Sequence, residues 1–382
     1  MRFEFATATR IAFGPGVLRE LQPKQFGKQA LVVGSRNASR LAPLIEILER
    51  DGVTFTHYAV GGEPTIELVS RGAEQARDTQ SDFLIGFGGG SAIDAGKAIA
   101  ALTTNPGDPL DYLEVIGKSK PLITPPLPYV AIPTTAGTGA EVTRNAVLFS
   151  PEHRLKISLR SALMLPRVAI VDPDLTKDLP PALTAATGMD ALTQLIESHV
   201  STRANPLTDA LCLDGIPRAA RSLRRVCFAP DDMEARTDMS LASLYSGMAL
   251  ANAGLGAVHG FAAAIGGMFS APHGAICAAL LPPVMQANIE ALQNRQPNSE
   301  RLDRYGHVAR LLTGNEAASL NHGVNWVRNL CSDLKIPRLS AYGITQTDAK
   351  LICEKAAAAS SMKPNPIPLA ADELHSILIE AL

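Results

Sequence analysis

Short, unbroken apolar runs alternate with amphipathic stretches through the first half of the chain. Ala30-Leu31-Val32-Val33-Gly34 is a run of the kind produced by a strand buried on both faces, and a helical pattern follows from Leu41 to Asp51. Phe55 to Val60 repeats the strand signal ahead of a helix from about Ile66 to Gln80. Asp82 to Gly90 passes from a strand into a glycine turn, and Ser91 to Leu102 continues as a helix. Tyr129 to Thr135 and Val168 to Pro173 are again strand-like. Strands alternating with helices predict a parallel, Rossmann-like α/β sheet covered on both faces. After Leu179-Pro180-Pro181 the pattern becomes Ala- and Leu-rich helix without further strand signals. Two domains are therefore expected, an α/β domain over 1–178 and an all-helical domain over 179–382, with the ligand site in a cleft between them.

One stretch of the helical half has no Asp, Glu, Lys or Arg at all between Asp238 and Glu290. A membrane-spanning helix needs about 20 uninterrupted apolar residues. Here Asn252, Gly254, Gly256, His259, Gly266, Gly267, Pro272, His273 and Gly274 break the run, which predicts a helical hairpin buried in protein. Composition narrows the partners. The 382 residues carry 35 Lys+Arg against 37 Asp+Glu, so no global field attracts nucleic acid or an acidic membrane, and 5% aromatic content offers no base-stacking surface. Cys212, Cys227, Cys277, Cys331 and Cys353 are odd in number and contain no CxxC, which suggests neither a disulfide framework nor a thiolate zinc site. The opening residues lack the apolar core of a secretory signal, so a cytoplasmic enzyme is expected.

Gly88-Gly89-Gly90-Ser91 lies between a predicted strand and a predicted helix. Glycines let the backbone approach an anion, and the helix N-terminus offers free N–H groups, which suits a pyrophosphate. The order is not GxGxxG, and a plain tight turn has the same composition. Thr134, Thr135 and Thr138, on the loop after the next strand, could bracket a dinucleotide from the other side or cap their own helix. The first strand ends in Gly34-Ser35-Arg36, with no acidic residue to claim a ribose 2′-hydroxyl. The absence of an acid beside Arg36 favours NADP, or at least its tolerance, unless Arg36 is a solvated surface residue.

Helical spacing aligns Asp190, Gln194 and Glu197 on one face, while His199 is turned about half a revolution away. An inward carboxylate is costly unless it is paired or binds a cation. His259 and His273, in the chargeless hairpin, are candidate partners for Asp190 in a divalent-metal site, or else core histidines bonded to carbonyls. The stripe Arg218, Arg221, Arg224 and Arg225 predicts a solvated helix face.

GGGSAIDAGKAIA (Gly88 to Ala100), IPTTAGTGAEVT (Ile132 to Thr143), AIVDPDLTKDLPPALTAATGMDALT (Ala169 to Thr193) and GLGAVHGFAAAIGGMFSAPHGAICAALLP (Gly254 to Pro282) resemble the signatures of the iron-containing alcohol dehydrogenases. Phe13 to Gly16 and Asn365-Pro366 match as well, in the right order along nearly the whole chain. The resemblance implies a dehydroquinate-synthase-like architecture and metal-assisted hydride transfer between NAD(P)(H) and a small alcohol or aldehyde. It also implies a homodimer and a catalytic metal, Fe²⁺ with Zn²⁺ as the alternative. It places Asp94 and Lys156 near the cofactor. Its ligands are an Asp, a His four residues later and two further His. Asp190, His259 and His273 match three of them, and Gln194, a candidate metal ligand through its weaker, neutral amide oxygen, stands at the fourth position. Ala263 also stands where many members carry a proton-relaying His. Two rival readings follow from these departures: a dehydroquinate-synthase-like lyase, which needs a more basic pocket, and a metal-free binding or regulatory protein.

Overall fold

Each apolar run named above is a strand. Residues 2–382 are described by this computed structural model. Among them the strands are β1 (Arg10–Phe13), β2 (Gln29–Ser35), β3 (Thr54–Val60), β4 (Phe83–Gly88), β5 (Tyr129–Pro133), β6 (Asn145–Ser150), β7 (Leu155–Arg160) and β8 (Val168–Val171). Six of them form one sheet in the order β1-β8-β5-β4-β2-β3 with parallel pairings, and β6 pairs antiparallel with β7. The helices α1 (Ala42–Arg50), α2 (Ile66–Asp78) and α3 (Gly90–Thr104) accompany this sheet. Leu31, Val33 and Leu84 pack with Val69 of α2 and Ile99 of α3, whereas Ala30, Val32 and Ile85 pack with Leu44 and Leu48 of α1. Alternate residues of one strand thus enter two cores, which is why these strands read as unbroken apolar runs.

Three strands were not expected. β1 is four residues at the sheet edge with only partial burial, too short to leave a pattern. β6 and β7 bury Ala146, Leu148, Ile157 and Leu159 at alternate positions; Lys156, Ser158 and Arg160 interrupt β7, and β6 is a short segment of six residues.

Register matters for function. Gly34 pairs with Phe87 and Gly88 with Pro133, so Ser35, Gly88 and Thr134 stand at the carboxyl edge of three adjacent strands. β2 has β3 on one side and β4 on the other, which makes this edge a topological switch point.

The second unit is helical: α4 (Pro181–Val200), α5 (Pro206–Phe228), α6 (Met233–Ala253), α7 (Ala257–Met268), α8 (His273–Arg295), α9 (Glu300–Thr313), α10 (Leu320–Asp333), α11 (Ala349–Ala358) and α12 (Ala371–Ala381). It comprises Asp178–Leu382 with Ala136–Thr138 and the N-terminal residues up to Phe5, while Ala6–Thr135 and Gly139–Lys177 make up the α/β unit. Among the described residues all strands precede Asp172. α8 is long and apolar enough to cross a membrane by composition, but 78% of its most apolar window is buried inside the protein. α6 and α7 meet at a 97° bend, where Gly254 sits at φ 72, a conformation that favours glycine. The arginine stripe is paired with acids rather than only solvated: Arg218 and Arg221 bond Asp238, Arg224 bonds Asp333 and lies over the Trp326 ring, and Arg225 bonds Asp232 and Glu234.

Candidate functional site

α4 carries the acidic side of the site. Asp190, Gln194 and Glu197 share one face of it, as their spacing predicts, and all three are buried. α8 packs hard against this helix because residue 274 is glycine: a Cβ there would lie 2.0 Å from the Ala186 carbonyl oxygen. Ala186 is one turn before Asp190 and His273 immediately precedes Gly274, so the close approach brings the two ligand-bearing turns together.

α7 has no N-cap side chain of its own. Its first free donors are taken by groups from elsewhere in the fold. The Asn365 Oδ1 accepts from the Ala257 N–H at 3.0 Å, and the Glu197 Oε1 accepts from the Val258 N–H at 2.7 Å. Gly256 makes room for both, since a Cβ at this position would lie 2.8 Å from each of those oxygens. The second Glu197 oxygen lies 2.6 Å from His259 Nδ1. With Nδ1–H donating to Glu197, the Nε2 lone pair of His259 faces Asp190 Oδ1 at 3.3 Å. Two lone pairs at that distance repel unless a proton or a cation lies between them.

The same carboxylate oxygen lies 3.6 Å from His273 Nε2. Cys277, one turn along α8 from His273, points its sulfur to within 3.8 Å of His259 Nε2 and 3.7 Å of His273 Nε2. The four donor atoms of Asp190, His259, His273 and Cys277 all lie within 4.8 Å of one another, a set able to hold a metal ion. The electrostatics agree. Burial works to raise the Asp190 carboxyl, but the imidazoles of His273 and His259 outweigh it and hold it below the usual range. Burial works to lower His259, yet Cys277, Asp190 and Glu197 hold it well above its ordinary value. Burial likewise opposes the Cys277 thiolate, and the two imidazoles outweigh it and hold the thiol below its ordinary value. A pocket that raises both His259 and His273 while holding Asp190 and Cys277 down favours a dication in the same place. The residues fit the metal that the resemblance implies.

Gln194 is placed differently from a free amide. Its Oε1 accepts the Ser246 hydroxyl at 2.7 Å. Ala263 is partly buried and presents only a methyl group.

In the α/β unit, no side chain caps α3; the Ala92 N–H donates to the Gly89 carbonyl at 3.0 Å, and the N–H groups of Gly90 and Ser91 at the helix start suit an anion. Gly88 has φ 155, and its carbonyl accepts from the Thr134 N–H at 2.9 Å, tying the two loops together. Thr135 lies against Gly89, where a Cβ would come 3.3 Å from its methyl. Thr138 belongs with the helical unit, unlike Thr134 and Thr135. The Ser35 hydroxyl accepts from the Asn37 N–H at 3.2 Å. The Asp94 carboxylate pairs with the buried Lys97 at 3.1 Å and accepts from the Val147 N–H at 3.0 Å. Lys156 pairs with Glu63 at 2.8 Å.

Sequence reasoning missed the role of Glu197, although its face was right, and missed Cys277 altogether. The available signal for Cys277 was its i, i+4 spacing from His273 on one helix. A search confined to CxxC pairs does not see it.

Two family models cover the chain: iron-containing alcohol dehydrogenase over residues 8–173, and the C-terminal domain of the Fe-containing alcohol dehydrogenase family over 184–382. Alcohol dehydrogenase 4 of Saccharomyces cerevisiae is 35% identical over 378 residues, covering 97% of this chain and 96% of that protein. The crystal structure of a 1,3-propanediol oxidoreductase superposes with a TM-score of 0.92 at 32% identity, covering 100% of both chains. The structure of a sulfoacetaldehyde reductase from Bifidobacterium kashiwanohense in complex with NAD⁺ is similar at a TM-score of 0.86 and 25% identity, covering 99% of this chain and 98% of that one.

Proposed function

The chain belongs to the iron-containing alcohol dehydrogenase family, and from that premise we propose that it interconverts a small alcohol and its aldehyde with a nicotinamide dinucleotide. Asp190, His259 and His273 hold a divalent cation, Fe²⁺ by family precedent and Zn²⁺ as the alternative. When bound, the cation supplies Lewis acidity toward the substrate oxygen, and the nicotinamide gives or takes the hydride. Glu197 keeps the proton of His259 on Nδ1 and so keeps Nε2 a lone-pair donor. Gly88, Gly89, Gly90 and Ser91 bind the pyrophosphate at the start of α3. Thr134, Thr135 and Thr138 supply hydroxyl donors to the nicotinamide half, and Lys156 lies toward the ribose. Asp94 and Lys97 brace the first turns of α3. Ser35 leaves the ribose 2′ position without an opposing carboxylate, which admits both NAD and NADP. Ala263 has no proton to give, so the alcohol proton leaves through water or a cofactor ribose hydroxyl.

A single observation carries this reading: the His259 imidazole stands between two buried carboxylates, 2.6 Å from Glu197 and 3.3 Å from Asp190. The lyase and metal-free alternatives gain no support from relatives that are alcohol and propanediol dehydrogenases. A cytoplasmic homodimer that binds neither nucleic acid nor membrane completes the proposal, and light scattering checks the oligomeric state. The functional test is a panel of small alcohols and aldehydes, run with both cofactors after loading with Fe²⁺ or Zn²⁺. Turnover with at least one pair is expected, and its absence under every condition contradicts the proposal.

A further inference from the structure

We propose that Cys277 is a protein ligand of the cation, taking the place that the family gives to the helix histidine at position 194 and turning the centre toward zinc. This rests on the reading that Asp190, His259 and His273 hold a divalent ion.

Four edges of the donor cluster define its shape. Asp190 Oδ1 is 3.3 Å from His259 Nε2 and 3.6 Å from His273 Nε2, and the Cys277 sulfur is 3.8 Å and 3.7 Å from the same two nitrogens. Bonds of about 2.0–2.2 Å to N and O and about 2.3 Å to S, set at tetrahedral angles, give edges of roughly 3.3–3.6 Å. A cation drawing the sulfur in by a few tenths of an ångström brings these four edges to that size, and the remaining two are within 4.8 Å. His273 and Cys277 lie one turn apart on α8 and project from the same face, so a single helix presents both to the cation.

The competing fourth ligand is Gln194. Its amide oxygen lies 2.7 Å from the Ser246 hydroxyl, whose single proton it shares with the Ser243 carbonyl at 2.8 Å. A neutral amide oxygen is a weaker donor to a soft cation than a thiolate. Cys277 is buried, forms no disulfide, and has no other described polar partner than the two imidazoles and Asp190. One O, two N and one S form a softer set than the family's one O and three N. Thiolate favours Zn²⁺ and Co²⁺ over Fe²⁺ relative to imidazole.

The test is spectroscopic and does not depend on turnover. The purified protein is stripped with a chelator and titrated with Co²⁺, and Zn²⁺-loaded protein is examined by X-ray absorption. The expected result is one cobalt per chain with an intense near-ultraviolet thiolate-to-cobalt band, and one sulfur at about 2.3 Å in the zinc form. The band persists in Gln194→Ala and disappears in Cys277→Ser, whose Zn²⁺ affinity falls by at least about tenfold. Gln194→His introduced into Cys277→Ser restores tight binding without restoring the band. Stoichiometric cobalt without the band, or a zinc shell without sulfur, overturns the assignment of Cys277 while leaving the three-ligand reading intact. Failure of the wild-type protein to take up any cobalt or zinc overturns both. If Cys277→Ser does not fold, the sulfur seen or not seen around zinc in the wild-type protein still decides.

Discussion

Glu197 serves His259 twice: one carboxylate oxygen takes the imidazole Nδ1 proton at 2.6 Å, and the other caps the helix that carries the imidazole through the Val258 N–H at 2.7 Å. The two functions separate by substitution. Glu197→Gln keeps a carbonyl acceptor for Val258 but turns an NH₂ toward Nδ1, which favours the tautomer with a proton on Nε2. Metal affinity is expected to fall about 10–100-fold with little change in the melting temperature. Glu197→Ala also leaves a buried N–H unpaired and lowers stability by about 1–3 kcal/mol. Equal metal affinity in Glu197→Gln and wild type, by competition with a chromophoric chelator, contradicts this role.

Gly274 is where α8 meets α4. Gly274→Ala puts a methyl against the Ala186 carbonyl oxygen at 2.0 Å and is expected to destabilise by about 1–3 kcal/mol or more, with reduced metal content. Gly306→Ala in α9 is the control. Its nearest neighbour is the mobile end of Arg310 at 3.6 Å, so helix propensity prevails and stability rises by about 0.5–1 kcal/mol. Thermal unfolding of both variants reads the opposite signs.

Asp209 on α5 forms a two-pronged pair with Arg304 on α9, at 2.6 and 2.9 Å, and Arg304 also donates to the His199 carbonyl at 2.8 Å near the end of α4. Burial opposes the carboxylate, but His199 and Arg304 outweigh it and bring its pKa down to about 2. A depressed pKa contributes stability at pH values above the ordinary carboxyl range and loses it as pH falls through the folded value. Asp209→Asn is therefore expected to cost about 1–2 kcal/mol at neutral pH, after allowance for solvent screening of a partly exposed pair. Denaturant titrations should show the gap closing between about pH 4 and pH 2; a gap that stays constant over that window excludes the linkage.

Ser35 at the end of β2 is the cofactor-choice position. Ser35→Asp places a carboxylate toward the ribose 2′ group and is expected to lower kcat/KM with NADPH relative to NADH by at least about tenfold, or ~1.4 kcal/mol. An unchanged ratio removes Ser35 from the nucleotide site.

The sequence carried the faces of elements better than the neighbours those faces meet. Two-sided burial made β2, β4, β5 and β8 legible as apolar runs, whereas the four residues of β1 and the alternating β6–β7 pair left no such trace. Helical period put Asp190 and Glu197 on one side of α4, but only packing shows that Glu197 faces α7 and grips His259. Gly256 and Gly274 looked like helix breakers in the sequence. In the fold each permits a close approach, one to Glu197 and Asn365 and the other to Ala186. Cys277 carries no motif of its own, and its meaning comes from two histidines, one of them on another helix.

The most direct measurement is the cation content and aldehyde-reducing turnover of the purified protein, set beside Asp190→Ala under identical metal loading. The expected result is one tightly held divalent ion per chain with NAD(P)H-dependent turnover, both abolished by chelation and by Asp190→Ala. Undiminished cation binding or undiminished turnover in Asp190→Ala contradicts the account.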